Sequence, residues 1–273
     1  MAEHTIDAGA GVTLATVDEG EGTPVVLLHG LTASRRYVVM GSSALQRGGH
    51  RVVAYDARGH GSSSPAPAPG AYRYEDLAAD LEVVLDTLEI ERTVLAGVSM
   101  GAHTCLALAL QTPERVAGLV AITPAFDPVE YADPERIANW DALSDALRTG
   151  GIEGFAEAFG VRRIPEQWRE TVGRALRQRM AVHEHLDAVA DALRAVPRSA
   201  PFPDLHALEE IECPAVVVGS RDQADPGHPL EVAERYADLL PRARLVVEAE
   251  GQSPLAWQGG RVSKLIAEVA AQA

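Results

Sequence analysis

Short apolar segments rich in Val, Ile and Leu recur along the chain, and most are separated by enough residues for one helix. Such segments, bounded by Gly, Pro or polar residues, are typical of strands buried on both faces of a parallel sheet. An antiparallel hairpin is predicted over residues 4–22. The fold class is therefore α/β, an eight-stranded and mostly parallel sheet with helices on both faces. The other strands are predicted at residues 24–30, 51–56, 93–99, 116–123, 214–220 and 243–249.

The strand pattern stops in the middle of the chain. Between about residues 126 and 207 the apolar residues recur at helical steps of three and four, and the pair Gly150-Gly151 interrupts them. We expect an all-helical cap over residues 126–207, inserted into an α/β core formed by residues 1–125 and 208–273.

The chain is acidic, with a formal net charge of −15 at pH 7. Such a charge repels phosphate groups, which argues against nucleic-acid and membrane-surface partners. No run approaches the roughly 18 apolar residues of a membrane span. The first residues lack the pattern of a signal peptide, so a cytoplasmic location is expected. The oligomeric state stays open, with a homodimer as one option.

The pentapeptide GVSMG, residues 97–101, lies between a predicted strand and a strongly apolar helix. In this context the pattern G-x-S-x-G forms a sharp turn that holds a serine at the carboxyl edge of the sheet. A β-carbon on Gly97 or Gly101 would collide with neighbouring backbone in such a turn. Ser99 is therefore the predicted nucleophile.

Two further motifs accompany this turn, LLHG at residues 27–30 and DARGHGSS at residues 56–63. With GVSMG, they make the chain resemble the α/β-hydrolases over essentially its whole length except the cap. The resemblance implies an oxyanion hole formed by the backbone N–H groups of Leu31 and Met100. It also implies that His29, in the LLHG loop, lines the site.

The resemblance implies a catalytic acid in a G-x-x-D pattern after the strand that follows the cap. Here the pattern reads GSRD, which makes Asp222 the expected acid in the chain order Ser, Asp, His. Asp225, three residues later, and Asp127, just after the strand predicted at 116–123, are alternatives.

The family's catalytic histidine follows the last strand, in a loop of the type G-H-x-P. This chain has GQSP there, with Gln252 in the histidine position. A glutamine amide cannot take the proton of Ser99, and loss of the base lowers the kcat of a serine hydrolase by about 10⁶. Three explanations stay open: an engineered His→Gln change, a base that has moved, or a fold that works without the triad.

His228 is the candidate for a moved base. It is the last histidine of the chain and lies in a loop at the same sheet edge as Ser99. The other histidines are weaker candidates. His60 occupies a variable position of its motif, while His183 and His185 are expected on a cap helix, where a spacing of two puts them on different faces.

The cap aromatics Trp140, Phe155 and Phe159 are placed to roof an apolar pocket above Ser99, with packing of cap against core as the competing explanation. Either way, the cap favours a small, mostly apolar ligand enclosed from water. No His, Cys or acidic pattern matches a metal site and no glycine loop matches a phosphate cradle, so neither a metal nor a cofactor is expected.

The sequence therefore predicts a hydrolase that acts on a small, mostly apolar carboxylic ester or lactone through Ser99, with His228 as the base. The alternative is an impaired or non-hydrolytic member of the family that binds a small apolar ligand, or a His→Gln inactivated hydrolase. In the non-hydrolytic case, Gln252 and Ser99 would fix the orientation of the ligand.

Overall fold

A computed structural model describes residues 2–131, 133–161, 164–221 and 225–273. Its central element is one eight-stranded sheet with the strand order β1-β2-β4-β3-β5-β6-β7-β8. The strands are β1 (Ala2–Gly9), β2 (Val12–Glu19), β3 (Thr23–Leu28), β4 (His50–Tyr55), β5 (Thr93–Val98), β6 (Val116–Ile122), β7 (Ala215–Val218) and β8 (Ala243–Val246).

The strands from β4 to β8 along this order are all parallel, whereas β1 pairs with β2 and β2 pairs with β4 in antiparallel register. The predicted hairpin and the predicted eight-stranded, mostly parallel sheet are both confirmed. Strand β8 ends at Val246, three residues earlier than the sequence indicated. A parallel arrangement brings the carboxyl ends of β3 to β8 to one edge, where the loops that carry the candidate residues begin.

Helices cover both faces of the sheet because neighbouring residues of a buried strand point to opposite sides. Along β3, Val26 and Leu28 belong to one buried apolar cluster, while Val25 and Leu27 belong to another. The first cluster includes residues of three helices, α2 (Tyr74–Thr87), α3 (Met100–Gln111) and α8 (Leu230–Leu239). The second includes residues of α1 (Ala44–Arg47) and α9 (Gly259–Ala270).

Between β6 and β7 the described chain is helical. Its helices are α4 (Pro128–Tyr131), α5 (Pro134–Ala158), α6 (Glu166–Met180) and α7 (Leu186–Ala195). Gly151 breaks α5 with a φ of 59° and a ψ of −150°, at the position where the sequence predicted an interruption. We call residues 126–207 the cap segment. Its ends, Phe126 and Phe202, pack in the same cluster as the sheet.

A third apolar cluster joins the cap segment to the carboxyl edge of the sheet. It contains Phe155 and Met180 from the cap segment together with Leu31 and Met100 from the core. The cap segment is thus packed on the two residues expected to form the oxyanion hole.

Candidate active site

Ser99 occupies the turn between β5 and α3 with a φ of 50° and a ψ of −110°. A positive φ is unfavourable for a residue with a β-carbon and persists where the surrounding structure imposes it. A β-carbon on Gly97 would lie 2.3 Å from the carbonyl carbon of Gly101, and one on Gly101 would lie 2.2 Å from the carbonyl oxygen of Leu28. The sharp turn expected at residues 97–101 is present, and it requires glycine at both positions.

The loop after β3 passes directly beside Ser99. A β-carbon on Gly30 would lie 3.7 Å from the Cβ of Ser99. Leu31 follows Gly30, and Met100 is the first residue of α3, where backbone N–H groups have no partner within the helix. The side chains of Leu31 and Met100 are 8% and 3% exposed, so packing fixes the backbone on both sides of the serine. The position of both residues beside Ser99 is consistent with their predicted role as oxyanion donors, which stays a prediction.

His29 is buried, and both of its ring nitrogens contact backbone groups. Its Nε2 accepts a hydrogen bond from Ala57 N at 2.9 Å, which leaves Nδ1 to donate to Gly30 O at 2.8 Å. Burial is the main cause that lowers its pKa to about 3, so the ring is neutral. Both ring nitrogens are thus engaged with backbone groups. If His29 lines the site as predicted, it contacts a ligand through the carbon atoms of its ring.

His228 is paired with a carboxylate in its own loop. Its Nδ1 lies 2.8 Å from Asp225 Oδ1, and both side chains are 23% exposed. Burial raises the pKa of Asp225, but the charge and hydrogen bond of His228, together with the charge of Arg179, outweigh burial and the net shift is downward. A carboxylate on Nδ1 is the arrangement that orients a catalytic imidazole with Nε2 directed elsewhere.

His103 lies in the first turn of the helix that follows Ser99 and is buried. Burial first, and then the charge of His228, lower the pKa of His103 to about 3. His103 N donates to Ser99 O at 3.0 Å. Among the described residues, Ser99 Oγ has no side-chain hydrogen bond, so a contact between Ser99 and His228 stays a prediction.

Of the two candidate acids within the described residues, Asp225 contacts His228 and Asp127 has other partners. Asp127 is only 4% exposed and its carboxylate pairs with Arg235 and accepts from Val129 N. Asp222 lies outside the described residues. Asp127 is therefore committed to an ion pair and a helix start, while Asp225 and Asp222 stay open as the acid.

Gln252 lies in the loop after β8 with an exposed side chain. It lines a small cleft together with Trp168 of α6 and Arg221 of the loop after β7. Its backbone N–H donates a hydrogen bond to Ala249 O at 3.1 Å. Its predicted role in ligand binding stays a prediction, and the adjoining cleft is compatible with it.

A sequence model of the α/β hydrolase fold family matches residues 23–259. That span includes the Ser99 turn, the loop of Leu31 and the His228 loop. This chain is an α/β-hydrolase.

Two proteins similar to this α/β-hydrolase are hydrolases by name, and a similar solved structure is that of an esterase. It is 31% identical over 254 residues to the 2-hydroxy-6-oxononadienedioate/2-hydroxy-6-oxononatrienedioate hydrolase of Paraburkholderia phymatum, with 89% of this chain and 85% of the relative covered. It is 29% identical over 224 residues to a putative carbamate hydrolase of Pseudomonas savastanoi, with 82% and 83% covered. A thermophilic esterase from Thermogutta terrifontis, solved with malate bound, has a TM-score of 0.80 and 28% identity over 98% of this chain and 97% of its own.

The predicted cap aromatics of this α/β-hydrolase differ in their burial. Phe155 is fully buried in the cluster that joins cap segment and core, Trp140 is half-buried beside the same cluster, and Phe159 is 39% exposed. The rings of Phe155 and Phe159 are 6.0 Å apart. Packing of cap against core accounts for Phe155, and ligand contact by all three aromatics stays a prediction.

Two histidines have contacts that the sequence did not reveal. His183 lies in the turn between α6 and α7, so the expectation that it sits on a helix is wrong. Its Nδ1 accepts from Gly61 N at 2.8 Å, across 122 residues of sequence. His60 Nε2 lies 2.7 Å from Leu31 O. The only signal in the sequence for the second contact is that His60 belongs to the DARGHGSS motif.

Within the described residues, no group of three or more His, Cys, Asp or Glu side chains is arranged to hold a metal ion. The same residues include no helix whose length and apolar character would let it cross a membrane.

Proposed function

We propose that this α/β-hydrolase cleaves a small, mostly apolar carboxylic ester or lactone through an acyl intermediate on Ser99. The observation that carries the proposal is the turn at residues 97–101. A φ of 50° at Ser99, held by two close glycine approaches, directs this serine toward the edge where the loop of Leu31 passes. A strained serine in this position is the form that a nucleophile takes in the fold.

The base in this proposal is His228. Asp225 on Nδ1 orients the imidazole and stabilises its cation, and Nε2 takes the proton of Ser99 Oγ as the oxygen attacks the carbonyl carbon. The N–H groups of Leu31 and Met100 then stabilise the negative oxygen of the tetrahedral intermediate. The imidazolium returns the proton to the leaving alkoxide, and water repeats the sequence to release the acid.

The apolar surroundings support the substrate class. The cluster around Leu31 and Met100 continues into the cap segment through Phe155 and Met180. Desolvation by such side chains favours an apolar acyl or lactone group over a charged polymer. The thermophilic esterase from Thermogutta terrifontis, at 28% identity and a TM-score of 0.80, is consistent with ester chemistry on this fold.

One observation favours a second candidate function, the binding of a small apolar ligand without turnover. Gln252, in the position of the family's histidine, is exposed beside a cleft, and a glutamine there cannot act as a base. In this alternative Ser99 is a hydrogen-bonding group, and the His228–Asp225 pair only stabilises its loop.

Turnover of a short-chain p-nitrophenyl ester decides between the two functions. The hydrolase proposal expects turnover by the unaltered protein and a fall of about 10⁴–10⁶ in kcat for Ser99→Ala and for His228→Ala. His206→Ala, which alters an exposed histidine paired with Glu209, is the matched control and should leave kcat unchanged. A silent protein that gains turnover only with Gln252→His would refute His228 as the base and favour the ligand-binding alternative.

A further inference from the structure

Three buried histidines contact three successive carbonyl groups of the loop after β3. His29 Nδ1 donates to Gly30 O at 2.8 Å, and His60 Nε2 lies 2.7 Å from Leu31 O. His183 Nε2 lies 3.4 Å from Thr32 O. The ring centroids are 5.2 Å apart between His29 and His60 and 5.5 Å apart between His60 and His183. We call these three rings the histidine row.

The other nitrogens of the histidine row face the loop that carries the DARGHGSS motif. His29 Nε2 accepts from Ala57 N at 2.9 Å, and His183 Nδ1 accepts from Gly61 N at 2.8 Å. His29 and His183 therefore each contact both loops, residues 30–32 and residues 57–61, while His60 belongs to the second loop and contacts the first.

His60 has carbonyl oxygens on both sides, because its Nδ1 lies 2.9 Å from Arg58 O. Burial lowers its pKa, against the effect of the two backbone contacts. A neutral imidazole has one N–H, so the ring donates to one of these two carbonyl oxygens, and variants that each keep one ring nitrogen distinguish Leu31 O from Arg58 O.

These contacts act on the peptide group that matters for an oxyanion. Gly30 O and Leu31 N belong to one planar trans peptide, so a donor that fixes the carbonyl also fixes the direction of the N–H. His60 fixes the next peptide through Leu31 O. Rotating either peptide group would break a buried hydrogen bond, whose loss is costly away from water.

His183 brings the cap segment into this arrangement. It lies in the turn between α6 and α7, and the next residue, Glu184, donates its N–H to Gly61 O at 2.9 Å. Gly61 thus uses both backbone groups on one turn of the cap segment. Movement of that turn away from the core would break both bonds and remove one member of the histidine row.

We propose that His60, donating from Nε2 to Leu31 O, and His183 are positioning residues for the oxyanion hole. They hold the two peptides that follow the Leu31 N–H, whose own peptide His29 holds, and they make the place of this loop depend on a seated cap segment. The role in catalysis rests on the proposed hydrolase function. The positioning of the loop does not.

A pair of variants at His60 separates the two ring nitrogens. The amide of a glutamine reaches the place of Nε2 and can still donate to Leu31 O, whereas an asparagine reaches the place of Nδ1 and can contact only Arg58 O. We expect amide hydrogen exchange at residues 31–33 to be about tenfold faster in His60→Asn than in His60→Gln, with exchange in β6 as the internal reference. We also expect kcat to fall about tenfold or more in His60→Asn, with KM within about twofold, and His60→Gln to retain most of kcat.

His183→Asn, which keeps the acceptor for Gly61 N and removes the donor to Thr32 O, should resemble His60→Asn, and the exposed His206→Gln should resemble the unaltered protein. Equal exchange at residues 31–33 in both His60 variants and the unaltered protein would overturn the proposal. If exchange differs as expected and the unaltered protein shows no ester turnover, the hydrolase function has failed and the positioning has not. If exchange differs but kcat does not, the histidine row holds the loop without serving the oxyanion, which also overturns the proposal.

Discussion

His228 Nδ1 and Asp225 Oδ1 lie 2.8 Å apart within one loop between β7 and α8. The pair has the hydrogen bond of an acid–base dyad, but both members come from the loop after β7. Gln252 lies in the loop after β8, where the resemblance described above led us to expect a histidine. The two loops begin on neighbouring parallel strands, so a change of loop keeps the base at the same edge of the sheet.

The first prediction concerns the identity of the acid. Asp225→Asn removes the charge that orients His228 and stabilises its cation, and we expect kcat to fall about 10⁴-fold in an ester assay. Asp222→Asn is the matched variant, three residues away. If Asp222→Asn causes the larger loss, Asp225 is a partner of His228 in the resting protein but not its catalytic acid.

A second prediction concerns the turn that presents Ser99. Gly101→Ala places a β-carbon 2.2 Å from Leu28 O, and we expect the free energy of unfolding to fall by about 3 kcal/mol, as for an overpacked core. Urea unfolding followed by circular dichroism measures it.

The matched control for this change is Gly260→Ala, in the first turn of α9. No atom lies within 4 Å of the added carbon there, and alanine should stabilise the helix by about 0.5–1 kcal/mol. Equal effects of the two substitutions would mean that the close approach at Gly101 is not what requires glycine.

A third prediction concerns the buried ion pair of the DARGHGSS motif. Arg58 Nε and one terminal nitrogen donate to the two oxygens of Asp80 at 2.8 and 2.7 Å, and the two residues are 8% and 1% exposed. Asp80→Asn leaves the buried Arg58 guanidinium with Asp76, at 3.4 Å, as its remaining charge partner, so the free energy of unfolding should fall by about 3 kcal/mol.

The double variant Arg58→Met with Asp80→Leu removes both charges and should be less damaging than Asp80→Asn alone. A double variant at least as unstable as Asp80→Asn would show that the side-chain volumes, not the unpaired charge, cause the loss. Urea unfolding of the three proteins at one pH makes this comparison.

A fourth prediction concerns pH. Burial holds the pKa of His29, His103 and His183 at about 3 in the folded protein, whereas an unfolded histidine titrates near 6.5. Stability is therefore greatest above about pH 6.5 and falls as the pH drops from there toward 3, because only the unfolded state takes up these protons. The expected slope is roughly 4 kcal/mol per pH unit for three histidines, about 1.4 for each.

Urea unfolding at pH 7, 6 and 5 measures this slope. His103→Gln should reduce it by about 1.4 kcal/mol per pH unit, the contribution of one buried imidazole. A free energy of unfolding that stays constant from pH 7 to pH 5 would mean that these rings are protonated in the folded protein.

The sequence predicted the sheet and the Ser99 turn because both depend on local patterns. Apolar runs determine which segments are strands, and the glycines at 97 and 101 fix a turn between residues that are neighbours in sequence. The placement of His228 and Asp225 in one loop was also evident, whereas their hydrogen bond depends on side-chain orientation.

Contacts between distant segments could not be predicted in this way. His183 and Gly61 are 122 residues apart, and no periodic pattern in the sequence links the two positions. The contact exists because the last turn of α6 packs on the core, where Met180 shares a buried cluster with Leu31 and Met100. Only the assembled fold brings those segments together.

The parallel order β5-β6-β7-β8 has a consequence for how this protein could be redesigned. Neighbouring strands are about 4.8 Å apart, so the loop after β7 begins one strand closer to Ser99 than the loop after β8. Two neighbouring loops can therefore each carry a proton acceptor, and these loops carry His228 and Gln252. A protein with histidine in both would offer one serine a choice of two bases, and its pH–rate profile would report which of them the scaffold prefers.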